Sequence, residues 1–320
     1  MKFSCIMTTF DDRDILVQSV NSLLHQTHTD FELLLVDDGS GPETKAVLAG
    51  FDDPRIMLLE QSNDGLSSAR NRALHHATGD YICFLDADDV RAPWALADVA
   101  AAIEASAPEL IIVRGVFSGE RSPLAPFLDE SAMDGYEAAA AKGEMTLADR
   151  KAWAMSCEPQ SANKFIARAL IERGALRFPN DHFFEDILFH SAAIAHARSV
   201  EILPSRSFTY FQRQLRPQLT ASNGLSRFDI IGTARVAFQL FERHPDFAHP
   251  RIRGALSIGA LRLLRWCEDT IPTYHKPAYK VALGQSLKSV NRLYLVIDPS
   301  TPDPRGERDG LMHYARERVR

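Results

Sequence analysis

Short apolar runs alternate with amphipathic runs of helical period over the first hundred residues. Apolar runs at residues 3–9, 31–36, 55–59 and 80–85 have the length of buried strands. Between the first two runs, apolar residues from Ile15 to Leu24 recur at the spacing of one helix face. Strands that alternate with helices usually pair in parallel, with helices on both faces of the sheet. The pattern therefore predicts an α/β fold with a mostly parallel, Rossmann-like sheet flanked by helices.

Further elements follow the same pattern up to residue 113. Helices are predicted at residues 43–48, 69–77 and 93–106, and a strand is predicted at residues 110–113. Residues 115–126 are rich in Gly, Ser and Pro, which predicts a loop that leaves the sheet. From about residue 223 onward long amphipathic runs replace the alternation, which predicts a helical C-terminal region.

Composition and charge narrow the class of protein. A chain of 320 residues suits one large domain with an appendage, and a formal net charge of -6 argues against a general nucleic-acid binder. The four cysteines lie far apart and lack metal-ligand spacing, which indicates buried thiols in a reducing compartment. Neither a signal-like start nor an apolar run of membrane-span length is apparent, so we expect a cytoplasmic protein without a transmembrane segment.

Polar residues stand at the ends of three predicted strands. They are Thr8 and Thr9, then Asp37 and Asp38, and then Asp86 and Asp88. Ligands of parallel α/β sheets bind beyond the carboxyl ends of the strands, so these clusters are expected to converge on one crevice. Two carboxylates one residue apart offer oxygen ligands to Mg²⁺ or Mn²⁺ and leave coordination positions open for a diphosphate. The alternative is a solvated Asp-rich turn.

Four segments in this order resemble the inverting, nucleotide-sugar-dependent glycosyltransferases of family 2, whose fold is called GT-A. The segments are Val36–Ser40, Asn63–Asn71, Leu85–Asp89 and Phe184–Phe189. They extend over roughly the first two-thirds of the chain. We therefore predict a GT-A catalytic domain at residues 1–222, with a nucleotide-binding half at about 1–114 and an acceptor half at about 115–222. A helical C-terminal region at residues 223–320 follows.

The resemblance implies a donor site in the first half. Asp37 and Asp38 resemble the family's acidic pair that faces the nucleotide base and ribose, with an Asx-turn at Asp38 as the alternative. Arg70 resembles the family's arginine near the donor base, and Asn71 accompanies it. A solvated helix face is the alternative for Arg70 and the favoured interpretation for Arg72. The other predicted donor contacts are Thr8, Thr9, Phe10, Asn63, Asp86, Ala87 and Arg213.

The resemblance also implies a metal site at the middle motif. Asp88 is predicted as a direct ligand of Mn²⁺ or Mg²⁺, and Asp86 as its companion, which contacts the ribose or reaches the ion through water. A metal here would act as a Lewis acid toward the departing nucleoside diphosphate. For Asp89 the alternative is capping of the helix that begins near Pro93.

Asp186 is predicted as the general base. An inverting transfer is a single displacement, so it needs a carboxylate that takes the proton from the acceptor hydroxyl. In the family this base is the Asp of a Glu-Asp pair, and Glu185 is predicted to orient or bind the acceptor. Apolar flanks and the proximity of two acids are expected to raise the pKa of at least one of them, which would suit a base. The alternative is an ordinary acidic first turn of a helix.

Two further segments are similar to family features. Residues 206–216 are aromatic and basic, and they resemble the family's segment before a mobile loop, where Arg213 or Arg216 would pair with the diphosphate. A solvated surface position is the favoured interpretation for any single arginine of this segment. Residues 262–266 are near the Gln-x-x-Arg-Trp signature of processive members, but Arg262 replaces the Gln. We therefore predict Arg265 and Trp266 to be ordinary helix features.

These features together predict a metal-dependent, inverting glycosyltransferase. It would move a sugar from a nucleotide donor, preferably a UDP-sugar, to a hydroxyl of a glycan or lipid-linked acceptor, as in cell-surface polysaccharide synthesis. A nucleotidyltransferase is one alternative, although the N-terminal part lacks an obvious Gly-rich phosphate loop. A non-catalytic nucleotide- or glycan-binding module is another. The basic amphipathic helices would also permit a peripheral contact with the inner face of the membrane. The sequence does not determine the oligomeric state.

Overall fold

The computed structural model describes residues 1–119, 122–180, 182–212 and 224–320. These residues divide into two compact units. The first combines residues 1–127, 160–181 and 197–213, and the second combines residues 128–159, 182–196 and 214–320. Helices from the middle of the chain thus belong to the same unit as the C-terminal helices. This grouping differs from a division at residue 222, and the functional domain boundaries stay a prediction.

Nine strands of the described chain form one sheet, and all of them belong to the first unit. The strands are β1 (Phe3–Thr9), β2 (Phe31–Asp37), β3 (Ile56–Glu60), β4 (Tyr81–Phe84), β5 (Val90–Arg91), β6 (Leu110–Gly119), β7 (Ser122–Pro126), β8 (Lys164–Ala167) and β9 (Val200–Phe211). Their order is β3-β2-β1-β4-β8-β6-β9-β5, with β7 paired to β6.

Helices account for most of the remaining described chain. The α-helices are α1 (Arg13–Leu24), α2 (Pro42–Leu48), α3 (Leu66–His76), α4 (Ala95–Ser106), α5 (Glu130–Ala140), α6 (Leu147–Ser156), α7 (Arg168–Arg173), α8 (Glu185–His196), α9 (Asp229–Glu242), α10 (Pro250–Thr270), α11 (Lys276–Ser289) and α12 (Arg308–Val319). Helices α1 to α4 and α7 belong to the first unit, and the others belong to the second.

The N-terminal half of the sheet is parallel, as the alternation of strands and helices predicted. Strand β1 pairs in parallel with β2 and β4, and β2 pairs in parallel with β3. Every residue of β2 is buried, which explains the apolar run Leu33–Val36 at its centre. The other half is mixed, since β8 runs antiparallel to β4 and β6, whereas β6 and β9 are parallel. The predicted α/β fold class is confirmed.

The segment 115–126 differs from its prediction, because most of it continues the sheet. Strand β6 extends through Gly119, and Val116 pairs with Pro126 of β7 in an antiparallel hairpin. Gly115 indicated a loop in the sequence, but it serves packing against a neighbouring strand. A Cβ atom at Gly115 would lie 2.4 Å from the ring of Phe208. The prediction failed because a glycine required by a distant aromatic ring has the same local signature as a loop glycine.

The second unit is helical, as predicted for the C-terminal region. Helix α6 begins with a capping box in which Thr146 and Asp149 exchange hydrogen bonds. The buried ammonium of Lys151 donates to Asp246 at 2.7 Å and to the carbonyl of Ala195 at 2.7 Å. These contacts connect α6 to the C-terminal end of α8 and to the turn that precedes α10.

The longest helix of the second unit is α10, with 21 residues. Within the described chain, no helix is both long enough and apolar enough to cross a membrane.

All four cysteines are buried, as predicted. Cys5 of β1 and Cys83 of β4 are register partners in neighbouring parallel strands. Their sulfur atoms lie 3.5 Å apart. The thiols at the centre of the sheet therefore behave as small apolar core residues.

Candidate active site

Three adjacent strands bring the predicted polar clusters to one edge of the sheet. The order β2-β1-β4 is parallel throughout, so the carboxyl ends of these strands lie side by side. Thr9 ends β1, Asp37 ends β2, and Asp86 follows β4 by two residues. The backbone N–H of Asp38 donates to the carbonyl of Thr9 at 2.9 Å, which joins two of the strand ends directly. The predicted crevice therefore exists in the first unit.

Asp37 lies at the end of β2 and is completely buried. Its Oδ1 atom accepts a hydrogen bond from the backbone N–H of Ser40 at 2.9 Å. Its Oδ2 atom is buried and has no hydrogen-bond partner among the described residues. A buried carboxylate oxygen is expensive to leave unpaired, so this atom is available to a ligand donor.

Asp38 has a different role from its neighbour. Its carboxylate accepts from the side chain of Gln61 at 2.8 Å and from the backbone N–H groups of Asp64 and Gly65 at 2.9 and 3.0 Å. The Asx-turn that was the alternative for Asp38 is therefore wrong, because the local turn is made by Asp37. Asp38 fixes the loop that leads into α3, and its contact with a nucleotide stays a prediction.

Gly39 allows this loop to come close to the end of β2. Its φ angle is +81°, and a Cβ atom there would lie 2.6 Å from the backbone nitrogen of Asn63. A side chain at this position would therefore meet both backbone strain and a steric clash. Asn63 itself is exposed, and its contact with the donor stays a prediction.

Arg70 lies on the buried face of α3, with only 2% of its surface exposed. It donates to Oδ1 of Asp86 at 2.8 Å, and its guanidinium lies 4.9 Å from the ring centroid of Phe178. The alternative of a solvated helix face is therefore wrong for Arg70. Arg72 is exposed, as predicted. The partly exposed carboxylate of Asp86 is held by a buried cation, which neutralises part of the acidic charge in the crevice.

Asn71 connects α3 to the segment that follows α7. Its side-chain amide donates to the carbonyl of Phe178 at 2.8 Å and accepts from the N–H of Phe178 at 2.9 Å. The two hydrogen bonds imitate the pairing of a β-strand. Because Phe178 also stacks on Arg70, Asn71 helps to hold the arginine in place.

The acidic cluster after β4 consists of Asp86, Asp88 and Asp89. Each residue offers a carboxylate oxygen, and these oxygens lie within 4.8 Å of one another. Oxygen ligands of an octahedral Mg²⁺ ion are about 3 Å apart when adjacent and about 4.2 Å apart when opposite, so the three carboxylates would have to move closer together to bind one ion. Hard oxygen ligands of this kind fit Mg²⁺ or Mn²⁺. Ala87, between them, is buried, and its carbonyl accepts from Ser19 of α1 at 2.7 Å.

Asp89 is completely buried and belongs to the cluster. Helix α4 has Trp94 at its N-cap and, in the described chain, no side-chain cap hydrogen bond, so capping by Asp89 is wrong. Its Oδ1 atom instead accepts from the N–H of Phe211 at 3.1 Å. Burial raises the pKa of Asp89 well above its ordinary value, and repulsion from Asp86 and Asp88 adds to this rise.

Arg91 binds the end of β4, the strand that precedes the acidic cluster. This residue was not identified from the sequence. Its buried guanidinium donates to the carbonyl of Phe84 at 2.6 Å and to the carbonyl of Ala162 at 3.1 Å. It also lies 5.3 Å from the ring centroid of Phe165 and 5.8 Å from that of Phe208. Arg91 thus holds the end of β4 in a fixed place.

The remaining contacts predicted for the first unit lie around the end of β1. Thr8 is partly buried and Thr9 is buried, whereas Phe10 is exposed. Both the hydroxyl of Thr9, at 3.3 Å, and the backbone N–H of Phe10, at 3.1 Å, donate to Oδ2 of Asp12. These contacts set the turn between β1 and α1. Arg213 and Arg216, which were predicted to meet the diphosphate, lie outside the described residues.

A cavity of about 490 Å³ also lies in the first unit. Its walls include Val90, Trp94, Val116, Leu124 and Arg206. Trp94 and Leu124 are exposed. The walls are mainly apolar and do not include the residues of the acidic cluster.

Glu185 and Asp186 form the first turn of α8 in the second unit. Both are partly buried, and the next four residues, Ile187 to His190, are buried. Acidic side chains are stabilised by the positive end of the helix dipole. The acidic first turn of a helix, which was the alternative to a catalytic role, is therefore present. It is compatible with Asp186 as a general base, and that role stays a prediction.

Aromatic side chains surround the start of α8. The ring of Phe184 packs edge-on against Phe183, with centroids 4.8 Å apart, and against Trp266 of α10 at 6.3 Å. The guanidinium of Arg227 lies 3.7 Å from the ring centroid of Trp266. Trp266 therefore contacts residues from two other segments, which the prediction of an ordinary helix feature did not include. The sequence did not reveal this contact, because its two members are far apart along the chain.

The chain is similar to known glycosyltransferases. Residues 4–151 match the model of the family Glycosyl transferase family 2. In Escherichia coli, UDP-Glc:alpha-D-GlcNAc-diphosphoundecaprenol beta-1,3-glucosyltransferase WfgD is 40% identical over 88 residues, which are 27% of this chain and 35% of WfgD. In Staphylococcus aureus, poly(ribitol-phosphate) beta-N-acetylglucosaminyltransferase TarS is 27% identical over 218 residues, which are 66% of this chain and 35% of TarS. The alignments span about a third of the length of these relatives.

Solved structures have the same fold. The crystal structure of S. aureus TarS 1–349 in complex with UDP-GlcNAc has a TM-score of 0.77 at 22% identity, and the alignment covers 99% of this chain and 88% of that chain. The mannosyltransferase PcManGT from Pyrobaculum calidifontis, in complex with GDP-Man and Mn²⁺, has a TM-score of 0.54 at 16% identity, with 99% and 86% covered. The predicted GT-A fold is confirmed by the likeness to TarS.

Proposed function

Because residues 4–151 of this chain are a glycosyl transferase family 2 domain, we propose that the protein transfers one sugar from a nucleotide donor to a hydroxyl of an acceptor. The observation that carries the proposal is the cluster of Asp86, Asp88 and Asp89, whose oxygens lie within 4.8 Å of one another. Three carboxylates at such distances repel one another, and a divalent cation removes that repulsion. A site of this composition is suited to a diphosphate donor.

The proposed donor is a UDP-sugar. Two observations on similar proteins support this choice, since WfgD is named for UDP-Glc and TarS was solved with UDP-GlcNAc. In this chain, the buried Oδ2 atom of Asp37 is suited to accept from a base N–H or a ribose hydroxyl. Arg70 holds the carboxylate of Asp86 through a hydrogen bond of 2.8 Å.

Asp88 and Asp86 are the residues that would hold Mn²⁺ or Mg²⁺. A bound ion of this kind neutralises the charge that develops on a departing nucleoside diphosphate. Asp89 adds a third carboxylate that is fixed by the backbone of Phe211. The oxygen-only composition of the cluster supports this assignment.

Asp186 is the proposed general base. Its carboxylate takes the proton of the acceptor hydroxyl, while the acceptor oxygen forms a bond to the anomeric carbon of the sugar. The bond from that carbon to the diphosphate oxygen breaks in the same step, and the anomeric configuration inverts. The nucleoside diphosphate leaves with the electron pair. Glu185, the neighbouring acid in the first turn of α8, is proposed to orient the acceptor.

The proposed acceptor is a hydroxyl of a glycan or of a lipid-linked saccharide. The name of WfgD gives a diphosphoundecaprenol-linked sugar as its acceptor, and that of TarS gives a poly(ribitol-phosphate). We therefore propose a part in cell-surface polysaccharide synthesis, in the cytoplasm or at the inner face of the membrane.

Calorimetric titration of UDP, GDP and dTDP, with and without Mn²⁺, tests the donor proposal. We expect Mn²⁺-dependent binding of UDP that Asp88→Asn removes and that Asp52→Asn, a change at an exposed position, leaves intact. Failure of the folded protein to bind any of the three nucleotides would instead favour the non-catalytic glycan-binding module. Pyrophosphate release from a nucleoside triphosphate would favour the nucleotidyltransferase.

The base proposal needs a second variant. We expect Asp186→Asn to bind UDP with Mn²⁺ as the wild type does, and to lose transfer from UDP-Glc or UDP-GlcNAc to a saccharide acceptor. Asp309→Asn is the matched control, since this carboxylate lies in the same unit and is 93% exposed. Transfer by Asp186→Asn at the wild-type rate would contradict the assignment.

A further inference from the structure

The backbone immediately before Glu185 is strained. Phe184 has a φ angle of 70°, in the left-handed region that large side chains rarely adopt. Three other non-glycine residues among those described have positive φ angles, and they are the smaller Asp11, Ala107 and Ala175. A bulky residue stays in this region only when its surroundings hold it there. Such strain is common at functional sites.

Contacts from the C-terminal helices hold this strained segment. The hydroxyl of Thr233, on α9, lies 3.1 Å from the carbonyl oxygen of Phe183 and 2.9 Å from that of Asp229, and its single hydrogen is shared between the two acceptors. The ring of Trp266, on α10, meets the ring of Phe184 at 88°, with centroids 6.3 Å apart. Edge-to-face packing of this kind is favourable and depends on direction. Both helices therefore act on the two residues that precede the acidic turn.

Trp266 is itself held in place by a buried cation. The guanidinium of Arg227 lies 3.7 Å from the centroid of the indole ring, and only 3% of Arg227 is exposed. The same guanidinium donates to the sulfur of Cys267 at 3.8 Å. Cation–π contacts with tryptophan are the strongest of their type and are strengthened by desolvation. The indole is thereby fixed between Arg227 and Phe184.

We infer that Trp266, stacked on Arg227 and packed against Phe184, is a positioning residue for the Glu185–Asp186 pair. The ring contact keeps Phe184 in its left-handed conformation, and that conformation sets where the first turn of α8 begins. The C-terminal helices thus determine the orientation of Asp186. This inference rests on the proposed function, in which Asp186 is the general base, and Trp266 does not touch the reacting atoms.

The variants Trp266→Ala and Trp266→Phe test this inference. Trp266→Phe retains an aromatic edge for Phe184, whereas Trp266→Ala removes it. Tyr274→Ala is the matched control, because Tyr274 lies in the same unit and is 77% exposed. Hydrogen exchange of the backbone amides of residues 184–190 reports the first turn of α8 without any need for activity. We expect faster exchange there in Trp266→Ala, and wild-type exchange in the control and in most of the rest of the chain.

Kinetic measurements add a readout that a general loss of stability does not produce. We expect kcat for transfer to fall about 10- to 100-fold in Trp266→Ala, since small misplacements of a catalytic group have effects of this size. UDP affinity and the KM for the acceptor should stay within about twofold, because the altered position affects the chemical step alone. Trp266→Phe should recover most of the lost kcat.

Two results would overturn the inference. Wild-type exchange at residues 184–190 in Trp266→Ala would show that the indole does not hold the segment. A higher KM for the acceptor at unchanged kcat would show that Trp266, which is 37% exposed, contacts the acceptor instead. Failure of the wild type to transfer sugar from any donor would refute the proposed function separately, and the exchange result would then decide the positioning role alone.

Discussion

Arg70 donates a 2.8 Å hydrogen bond to Asp86 from a guanidinium that is almost completely buried to a carboxylate that is 34% exposed. A partly buried charged pair depends on both partners, because removal of one leaves the other without compensation. We expect Arg70→Met to lower the free energy of unfolding by about 1–3 kcal/mol, the range for hydrogen bonds to charged groups. Urea denaturation measures this change. Arg72→Met, at an exposed position of the same helix, should stay within about 0.5 kcal/mol of the wild type.

A double-mutant cycle measures the free energy of the interaction between Arg70 and Asp86 separately from their other contacts. If Arg70 acts mainly through Asp86, Arg70→Met and Asp86→Asn should show a coupling free energy of at least about 0.5 kcal/mol. Additive effects of the two changes would mean that Arg70 stabilises the protein through contacts other than the one with Asp86, such as the contact with Phe178.

Asp37 and Asp38 should respond differently to the same substitution. Asp38→Asn places an amide group against the N–H donors of Asp64 and Gly65, so we expect a loss of about 1–3 kcal/mol in unfolding free energy. Asp37→Asn can keep its contact with Ser40. Asp37→Asn should chiefly lower the affinity for UDP. Each 1.4 kcal/mol of lost binding free energy lowers that affinity about tenfold. Urea denaturation measures the stability of both variants, and calorimetry measures their affinity for UDP. If the two variants lost the same affinity and had the same stability, the distinct roles of Asp37 and Asp38 would be contradicted.

Two glycines should give opposite results when alanine replaces them. Gly39→Ala meets a φ angle of +81° and a contact of 2.6 Å with the backbone of Asn63. We expect it to destabilise the fold by about 1–3 kcal/mol. Gly232 lies inside α9, and a Cβ atom there would have no described neighbour within 4 Å. Gly232→Ala should therefore stabilise the protein by about 0.5–1 kcal/mol, through helix propensity. Thermal or urea unfolding of the two variants checks both signs.

Acid stability should depend on Glu32, at the opposite end of β2 from the active site. Burial alone would raise the pKa of Glu32, but hydrogen bonds from Lys2, Ser4 and Thr78 outweigh it and lower this pKa to about 2. The charged form is therefore favoured in the folded state. The resulting stability is present above the ordinary pKa near 4.5 and is lost as the pH falls toward about 2.

Glu32→Gln tests this pH dependence. We expect the variant to be less stable than the wild type at pH 7, by roughly 2 kcal/mol, with a smaller difference at pH 2. Glu104→Gln, at an exposed position, should follow the wild type at each pH. UDP affinity at pH 7 should not change, because Glu32 is far from the carboxyl ends of the strands. An equal difference between variant and wild type at pH 7 and pH 2 would contradict the assignment.

The sequence by itself determined the elements of the parallel half of the sheet. Strands β1 to β4 and helices α1 to α4 lie close to their predicted positions, because short apolar runs and the helical period of 3.6 are local features of the sequence. The position of Asp37 and of Asp86 to Asp89 at strand ends followed from the same local pattern. The family resemblance then added the expected chemistry. The match of residues 4–151 to the family 2 model supports sugar transfer from a nucleotide donor, and the metal and the base stay predictions.

Only the tertiary structure decided which partners these side chains have. The burial of Arg70 against Phe178, the three donors on Asp38, and the attachment of Asp89 to Phe211 all join segments that are distant in sequence. The same is true of Gly115 under the ring of Phe208, and of Phe184 against Trp266. Periodicity reports which face of an element is buried, but not which residue of another element covers it. These contacts were therefore decided by packing between distant segments, where neither spacing nor composition carries information.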